Sequence, residues 1–204
     1  MKKAICGKKI GMTQIIDENG NVVPVTVVET YDGHLITKKS LEKDSYSAYV
    51  FGFIDIKETK LNKPALGLFN KSKVSPKKII KEFKFSEEPS LSNDILNIDQ
   101  FQTGDILNVY GKSNGKGFQG TVKSHGFSRG LMTHGSKSHR LPGSIGAGTD
   151  PARVYLGTKM AKKLGNKRVT LKNLKLIKVD KENNILYIKG SIPGKKNKII
   201  YIYN

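Results

Sequence analysis

The chain has no tryptophan, one cysteine and only four arginines in 204 residues. The lone Cys6 excludes an internal disulfide and points to a reducing compartment. No apolar run approaches the ~20 residues of a membrane span. The lysine-led N-terminus breaks its apolar run at Lys8 and Lys9, unlike a secretory signal. A soluble, intracellular protein is therefore expected. Apolar residues make up 37% and aromatics 8%, a lean supply for a core. One domain with an excursion fits this length.

Acidic residues are also few, 17 against 36 Lys and Arg, for a net charge of +19. Their scarcity is local. Residues 111–168 hold twelve Lys and Arg against one acid, Asp150, a net +11 that leaves +8 for the rest. The same stretch holds twelve of 21 glycines, three of four histidines and all four arginines. It lacks hydrophobic periodicity and cannot build a core of its own. A large polyanion is the partner that relieves such self-repulsion, and a folded RNA with pockets suits irregular Gly-rich backbone better than a regular duplex groove.

The chemistry-bearing motifs point the same way. Gly115–Gly120 reads GKGFQG, the letters of a dinucleotide fingerprint, but no acid follows where the ribose contact is needed. Lys116 precedes Gly117 rather than Ser or Thr, so it is no P-loop lysine. His125, His134 and His139 have no nearby Cys or carboxylate to complete a zinc site. They suit phosphate or base contact, or simple solvation. Cys6 sits in a strand-like run as a small apolar residue, not a nucleophile. The arginines are the most telling. Lys outnumbers Arg 32 to 4, yet Arg129, Arg140, Arg153 and Arg168 all lie in the excursion. There a planar, bidentate guanidinium can clamp phosphate or stack on unpaired bases.

The flanking sequence reads as β-structure. Gln14–Ile16, the Asn19-Gly20 turn and Val22–Glu29 form a hairpin, with Val25, Val27 and Glu29 on one face and Thr26 and Val28 on the other. Tyr46–Ile54, Ile106–Tyr110, Val169–Val179, Ile185–Lys189 and Lys198–Tyr203 are further strands. This pattern predicts a small barrel or sandwich. Between them, Pro64 opens a helix with Leu66 and Phe69 on one side. Ser75-Pro76 opens another over Lys77–Phe85, with Ile79, Ile80 and Phe83 as its stripe. Residues 86–105 read as loop. Inside the excursion, Phe118 and Val122 mark a short helix ending at Gly126. Thr158 caps a second, with Met160, Ala161 and Leu164 on one side, Lys159, Lys162 and Lys163 outward, and Gly165 at its end.

MTHGSKSHRLPGSIG (Met132–Gly146) and GKSNGKGFQGTVKSHGF (Gly111–Phe127) resemble the two signatures of the ribosomal protein L3 family of the large subunit. Gly7–Thr13, Arg168–Thr170 and Lys189–Gly194 resemble its flanking strands, so the match covers the chain in order, at bacterial-type length. The resemblance implies a mainly β fold: a six-stranded translation-protein-type barrel over 1–110 and 169–204, with a helical insertion at about 62–100. An arm, 111–168, would reach through large-subunit rRNA toward the peptidyl transferase centre. It further implies binding near the rRNA 3′ end, an early role in assembly, and the neighbours L14 and L19.

The expected rRNA contacts are Lys112, Lys116, Phe118, Lys123, Arg129, His134, Lys137, His139, Arg140, Arg153, Lys159, Lys162, Lys163 and Arg168. The arm tip nearest the catalytic centre would be Gly146, Ala147, Gly148 and Thr149. The chain departs from the family pattern there. It has no Gln after Gln119, so the tip glutamine that some members methylate is replaced by Thr149. Lys162 and Lys163 also stand where Gly and His or Gln are frequent. No catalytic residue, metal or cofactor is expected, and the arm is expected to order only against RNA. The rivals are an RNA-modifying enzyme, which needs acids and nucleophiles the arm lacks, and a general duplex-binding protein.

Overall fold

The computed structural model describes residues 2–85 and 94–204. The loop expected over 86–105 lies outside the described residues at 86–93. In chain order the elements are β1 (Ala4–Ile16), β2 (Val22–Tyr31), β3 (Gly33–Lys39), α1 (Leu41–Asp44), β4 (Ala48–Asp55), α2 (Lys63–Ser72), β5 (Lys77–Phe83) and β6 (Ile95–Leu96). They continue with β7 (Ile106–Lys112), β8 (Phe118–Gln119), α3 (Thr121–His125), β9 (Lys162–Lys163), β10 (Arg168–Asp180), β11 (Ile185–Lys189) and β12 (Ile199–Tyr203). The chain divides into two compact units, Met1–Lys112 with Arg168–Asn204, and Ser113–Lys167.

Six strands close a barrel in the order β1-β12-β7-β10-β11-β2, all pairs antiparallel. The strand period of two explains its filling. Ile5, Val28, Leu107, Val109, Leu176, Leu186, Ile188, Ile200 and Ile202 are buried together inside. The hairpin expected at Asn19-Gly20 forms, with the Gly20 N–H donating to the Asp17 carbonyl at 2.8 Å. Register shifts at Lys9/Gly11 in β1 and at two points in β10 bend these strands as closure requires. Residue 25 of β2 lies on the opposite face from Val28, yet both are fully buried, so β2 is covered on both sides there.

What lies outside the barrel follows from the alternate residues. Ala4 and Cys6 flank Ile5, and Ile199, Tyr201 and Tyr203 flank Ile200 and Ile202. This outer set joins Tyr49, Phe51, Phe53, Phe83 and Leu96 in a second core. Those residues come from a four-stranded sheet, β5-β4-β3-β6. The expected helix at Pro64 is present as α2, with Phe69 buried. The expected helix over Lys77–Phe85 is not. That segment is β5, paired with β4 as Tyr49↔Phe83, Phe51↔Lys81 and Phe53↔Ile79. Apolar residues at 79, 80 and 83 fit a helical stripe, but only Ile79 and Phe83 pack inward, while Ile80 is 43% exposed. The aromatic face of β4 outweighs local preference. Phe83 lies 6.3–6.4 Å, ring to ring, from Phe51, Phe53, Phe85 and Tyr201. The insertion expected to be helical thus contributes one α-helix, a 3-10 turn at Ile98–Gln100 and two sheet strands among its described residues.

Candidate nucleic-acid interface

The unit Ser113–Lys167 is held by backbone rather than by a core. At its base Ser113 N–H donates to the Lys167 carbonyl (2.9 Å), Lys116 N–H to Leu164 (2.9 Å) and Leu164 N–H to Gly117 (2.9 Å). Phe118 and Gln119 then pair with Lys163 and Lys162 as β8 and β9. The helix expected from Thr158 through Gly165 is therefore replaced by an extended return strand. Thr158 spends its hydroxyl on the Tyr155 carbonyl behind it (2.7 Å) instead of capping a helix ahead. Gly165 has φ +73° and faces Asn114, where a Cβ would overlap the carbonyl oxygen. Lysines and leucine in this run favour helix locally, but the facing strand supplies partners for the backbone that a helix would forgo. The other expected helix is present as α3, which ends at Gly126 (φ +74°). Phe118 lies before it in β8 and is 70% exposed.

Two of the arm histidines have structural partners. The His125 Nε2 is 2.9 Å from the Met160 carbonyl, and the His139 Nδ1 is 2.9 Å from the Leu131 carbonyl. A ring N–H must donate in each case, which leaves the opposite nitrogen of each ring for a ligand. His134, at φ +56°, is exposed. Gly130 N–H donates to the His139 carbonyl at 3.0 Å, closing the loop that carries His134 and Lys137. Beyond it, Phe127, Arg129, Leu141, Pro142 and Ile145 line an open cleft of about 960 Å³. The tip residues Gly146, Ala147, Gly148 and Thr149 are all exposed.

Charge is arranged by exclusion. The ion pairs among the described residues are Lys3–Asp105, Lys8–Glu29, Lys39–Glu82, Lys77–Asp55 and Lys181–Asp99. None of them uses a residue of 111–168. Lys112, Lys116, Lys123, Arg129, Lys137, Arg140, Arg153, Lys159, Lys162, Lys163 and Arg168 are exposed cations with no carboxylate in reach among the described residues. Two of the arginines lie over aromatic rings instead. Arg153 is 5.5 Å from the Tyr155 ring centre and Arg168 is 4.0 Å from that of Tyr110. Such cations attract phosphate without first breaking an internal pair.

Nucleophilic chemistry has no foothold at Cys6. The thiol is fully buried, and burial pushes it up to about 12, so it stays protonated and inert. The structure also brings to Lys112 and Arg168 four residues the sequence reading passed over: Lys81, Tyr110, Lys198 and Tyr201. The available signal was the period-two pattern of Ile199–Tyr203, which turns Tyr201 away from the barrel interior.

A closed six-stranded β-barrel, joined to a second unit whose exposed cations have no acid partner among the described residues, defines the class: a β-barrel protein carrying an irregular basic segment. The comparisons with known proteins specify which. The family model for ribosomal protein L3 matches residues 38–185. The large ribosomal subunit protein uL3 of Finegoldia magna is 48% identical over 98% of this chain and 96% of its own length. That of Syntrophomonas wolfei is 48% identical over 100% and 96%. The uL3c protein of Phaeodactylum tricornutum is 46% identical over 99% and 98%. The chain belongs to the ribosomal protein L3 family, a structural and non-enzymatic one.

Proposed function

We propose that this protein is a structural constituent of the large ribosomal subunit, working in the cytoplasm, and binds large-subunit rRNA directly through residues 111–168. The observation that carries this reading is the row of exposed, unpaired cations along an arm whose only acid is Asp150. Each arm cation brought to a phosphate releases counterions, which drives binding and makes it salt-dependent. Arginines select RNA features by bidentate phosphate contact and by stacking, while lysines act as point charges. The barrel anchors the arm, and the tip at Gly146–Thr149 extends toward the peptidyl transferase centre, where catalysis belongs to the RNA. Early assembly follows from this design, because one chain then ties distant rRNA helices together. L14 and L19 are its expected protein neighbours.

The test is high-salt sucrose-gradient sedimentation of a tagged copy in cells. Wild type is compared with a variant in which 113–167 is replaced by a short turn. Lys112 and Arg168 are cross-strand partners, so the barrel tolerates that closure. Full-length protein should stay with the large subunit, and the variant should give stalled or salt-labile particles. Full-length protein washing to the top of the gradient would sink the proposal and reopen the duplex-binding alternative.

A further inference from the structure

We propose that the outer wall of the barrel carries a second, base-reading site: a pocket for one unpaired nucleotide of RNA, formed by Tyr110, Tyr201, Lys81, Lys112, Arg168 and Lys198. The inference rests on the RNA-binding reading above and adds to it a site outside the Ser113–Lys167 unit.

The pocket follows from strand register. Tyr110 and Tyr201 are cross-strand partners on β7 and β12, and both point away from the barrel interior. Their rings stack at 4.9 Å with 23° between planes. Arg168 is the first residue of β10, beside the end of β7, and lays its guanidinium 4.0 Å from the Tyr110 ring centre. Lys81 of β5 shares a face with Phe83 and reaches 5.4 Å from Tyr201 and 5.8 Å from Tyr110. Lys112 and Lys198 stand exposed at the rim of a cleft of about 410 Å³, closed on one side by Ile199. That volume lies within the ~300–1,000 Å³ of clefts that hold a small organic group.

The chemistry of the lining selects the occupant. Tyr110 is only 5% exposed, stacked on Tyr201 and covered by Arg168, so the half-buried Tyr201 ring and the exposed guanidinium offer the flat surface of the kind unpaired bases use. Four cations surround it, and no acid lines the cleft or pairs with any of them among the described residues. Burial pushes the Tyr110 hydroxyl up to about 12, against the opposing pull of Arg168, so it adds no negative charge. The base therefore lies against the stack, and the phosphates on either side of it fall to Lys112, Arg168 and Lys198. A free mononucleotide shares the chemistry but supplies no flanking phosphates for both rim lysines.

The test uses the full-length protein and hexauridylate carrying one 5-iodouridine, cross-linked by light and mapped by mass spectrometry. The expected cross-link is on Tyr201, competed by unlabelled hexauridylate but not by an equal concentration of uridine monophosphate. Competition by the mononucleotide at equal concentration would overturn the RNA assignment of the pocket. A companion titration compares hexauridylate with an abasic oligomer of equal phosphate count. Tyr201→Leu should weaken the base-bearing oligomer about tenfold and leave the abasic one unchanged, while Tyr201→Phe keeps the wild-type ratio. Arg140→Ala with Arg153→Ala should weaken both oligomers alike and preserve the ratio. Cross-links confined to 113–167 would overturn the pocket alone. Failure of wild type to bind either oligomer would overturn both the pocket and the reading beneath it.

Discussion

Gly165→Ala decides whether the base of the arm is a built structure in the free protein. Gly165 sits at φ +73°, where an alanine is strained by roughly 1–2 kcal/mol. Its new Cβ would also overlap the Asn114 carbonyl oxygen, which is backbone and cannot swing aside. The two chain segments must separate there. The bonds from Lys116 N–H to Leu164 and from Leu164 N–H to Gly117 then weaken or break. Each is worth about 0.5–1.5 kcal/mol net. Together the terms give a local destabilisation of roughly 2–5 kcal/mol, more than a tenfold rise in opening. Hydrogen exchange reads this directly. The amides of Lys116 and Leu164 should lose protection in Gly165→Ala, while that of Tyr110, inside the barrel ladder, keeps its wild-type rate. Equal exchange at Lys116 and Leu164 in both proteins would refute the reasoning, because the ladder would then be formed only on RNA.

Four further outcomes are expected. Arg140→Ala with Arg153→Ala should shallow the salt dependence of rRNA binding by about two in slope and lower large-subunit yield, with the barrel's thermal transition unmoved. Normal yield in cells carrying only that variant would count against the arm as the RNA anchor. Phe83→Ala should cost about 3–5 kcal/mol in urea titration, because it empties the centre of the second core. The Asp55 carboxyl is held below the usual range by hydrogen bonds from the buried Lys77 ammonium (2.8 Å) and from the Ser75 hydroxyl. A lowered carboxylate stabilises above its unfolded pKa and stops doing so as pH falls through its folded one. The urea midpoint of Asp55→Asn should thus fall short of wild type at pH 7 and converge with it as pH falls below the unfolded reference of about 3.9 and through the lower folded value. Finally, iodoacetamide at pH 8 should leave Cys6 unlabelled in the folded protein and modify it only in denaturant.

Most of the strands were legible because they obey one simple period, while the choice of a closed barrel over a sandwich came from the family resemblance. Ile-Ile-Tyr-Ile-Tyr at 199–203 and Ile-Leu-Tyr-Ile at 185–188 alternate cleanly, and their turns carry Asn, Gly and Pro. The four-stranded sheet was not legible for two reasons. Gly33–Lys39 is short and mixed in character. Lys77–Phe83 carries apolar residues at spacings that a helix and a strand both accept. Only the aromatic face of β4 decides between them, and that face is more than twenty residues away in sequence. The arm's basic composition and its glycines were plain from the start. Its return strand at Lys162–Lys163 was not, because its pairing with Phe118–Gln119 closes a loop of about forty residues with no local signal. The tyrosine pocket was least legible of all. Its residues come from β5, β7, β10, β12 and the approach to β12, and of them the sequence singled out only Lys112 and Arg168.

The partition of charge between the two units carries a physical argument of its own. In the barrel unit five lysines pair with acids among the described residues, Lys3–Asp105 and Lys8–Glu29 among them, so part of its charge is compensated in the compact state. Residues 111–168 hold +11 with one acid, and a buried apolar interior is not there to oppose the repulsion, Thr121 being the one fully buried side chain of the arm among its described residues. The repulsion acts over roughly 8 Å at physiological salt. It therefore opposes collapse within 111–168 without pulling apart the close backbone bonds of Ser113 with Lys167 and of Leu164 with Lys116 and Gly117. Under the proposed function, rRNA phosphate would remove that repulsion. Lysine would serve for that alone. The confinement of every arginine to 111–168 fits a second demand under the proposed function, for flat cations that hold a phosphate or a ring in one orientation, as Arg168 lies over the Tyr110 ring.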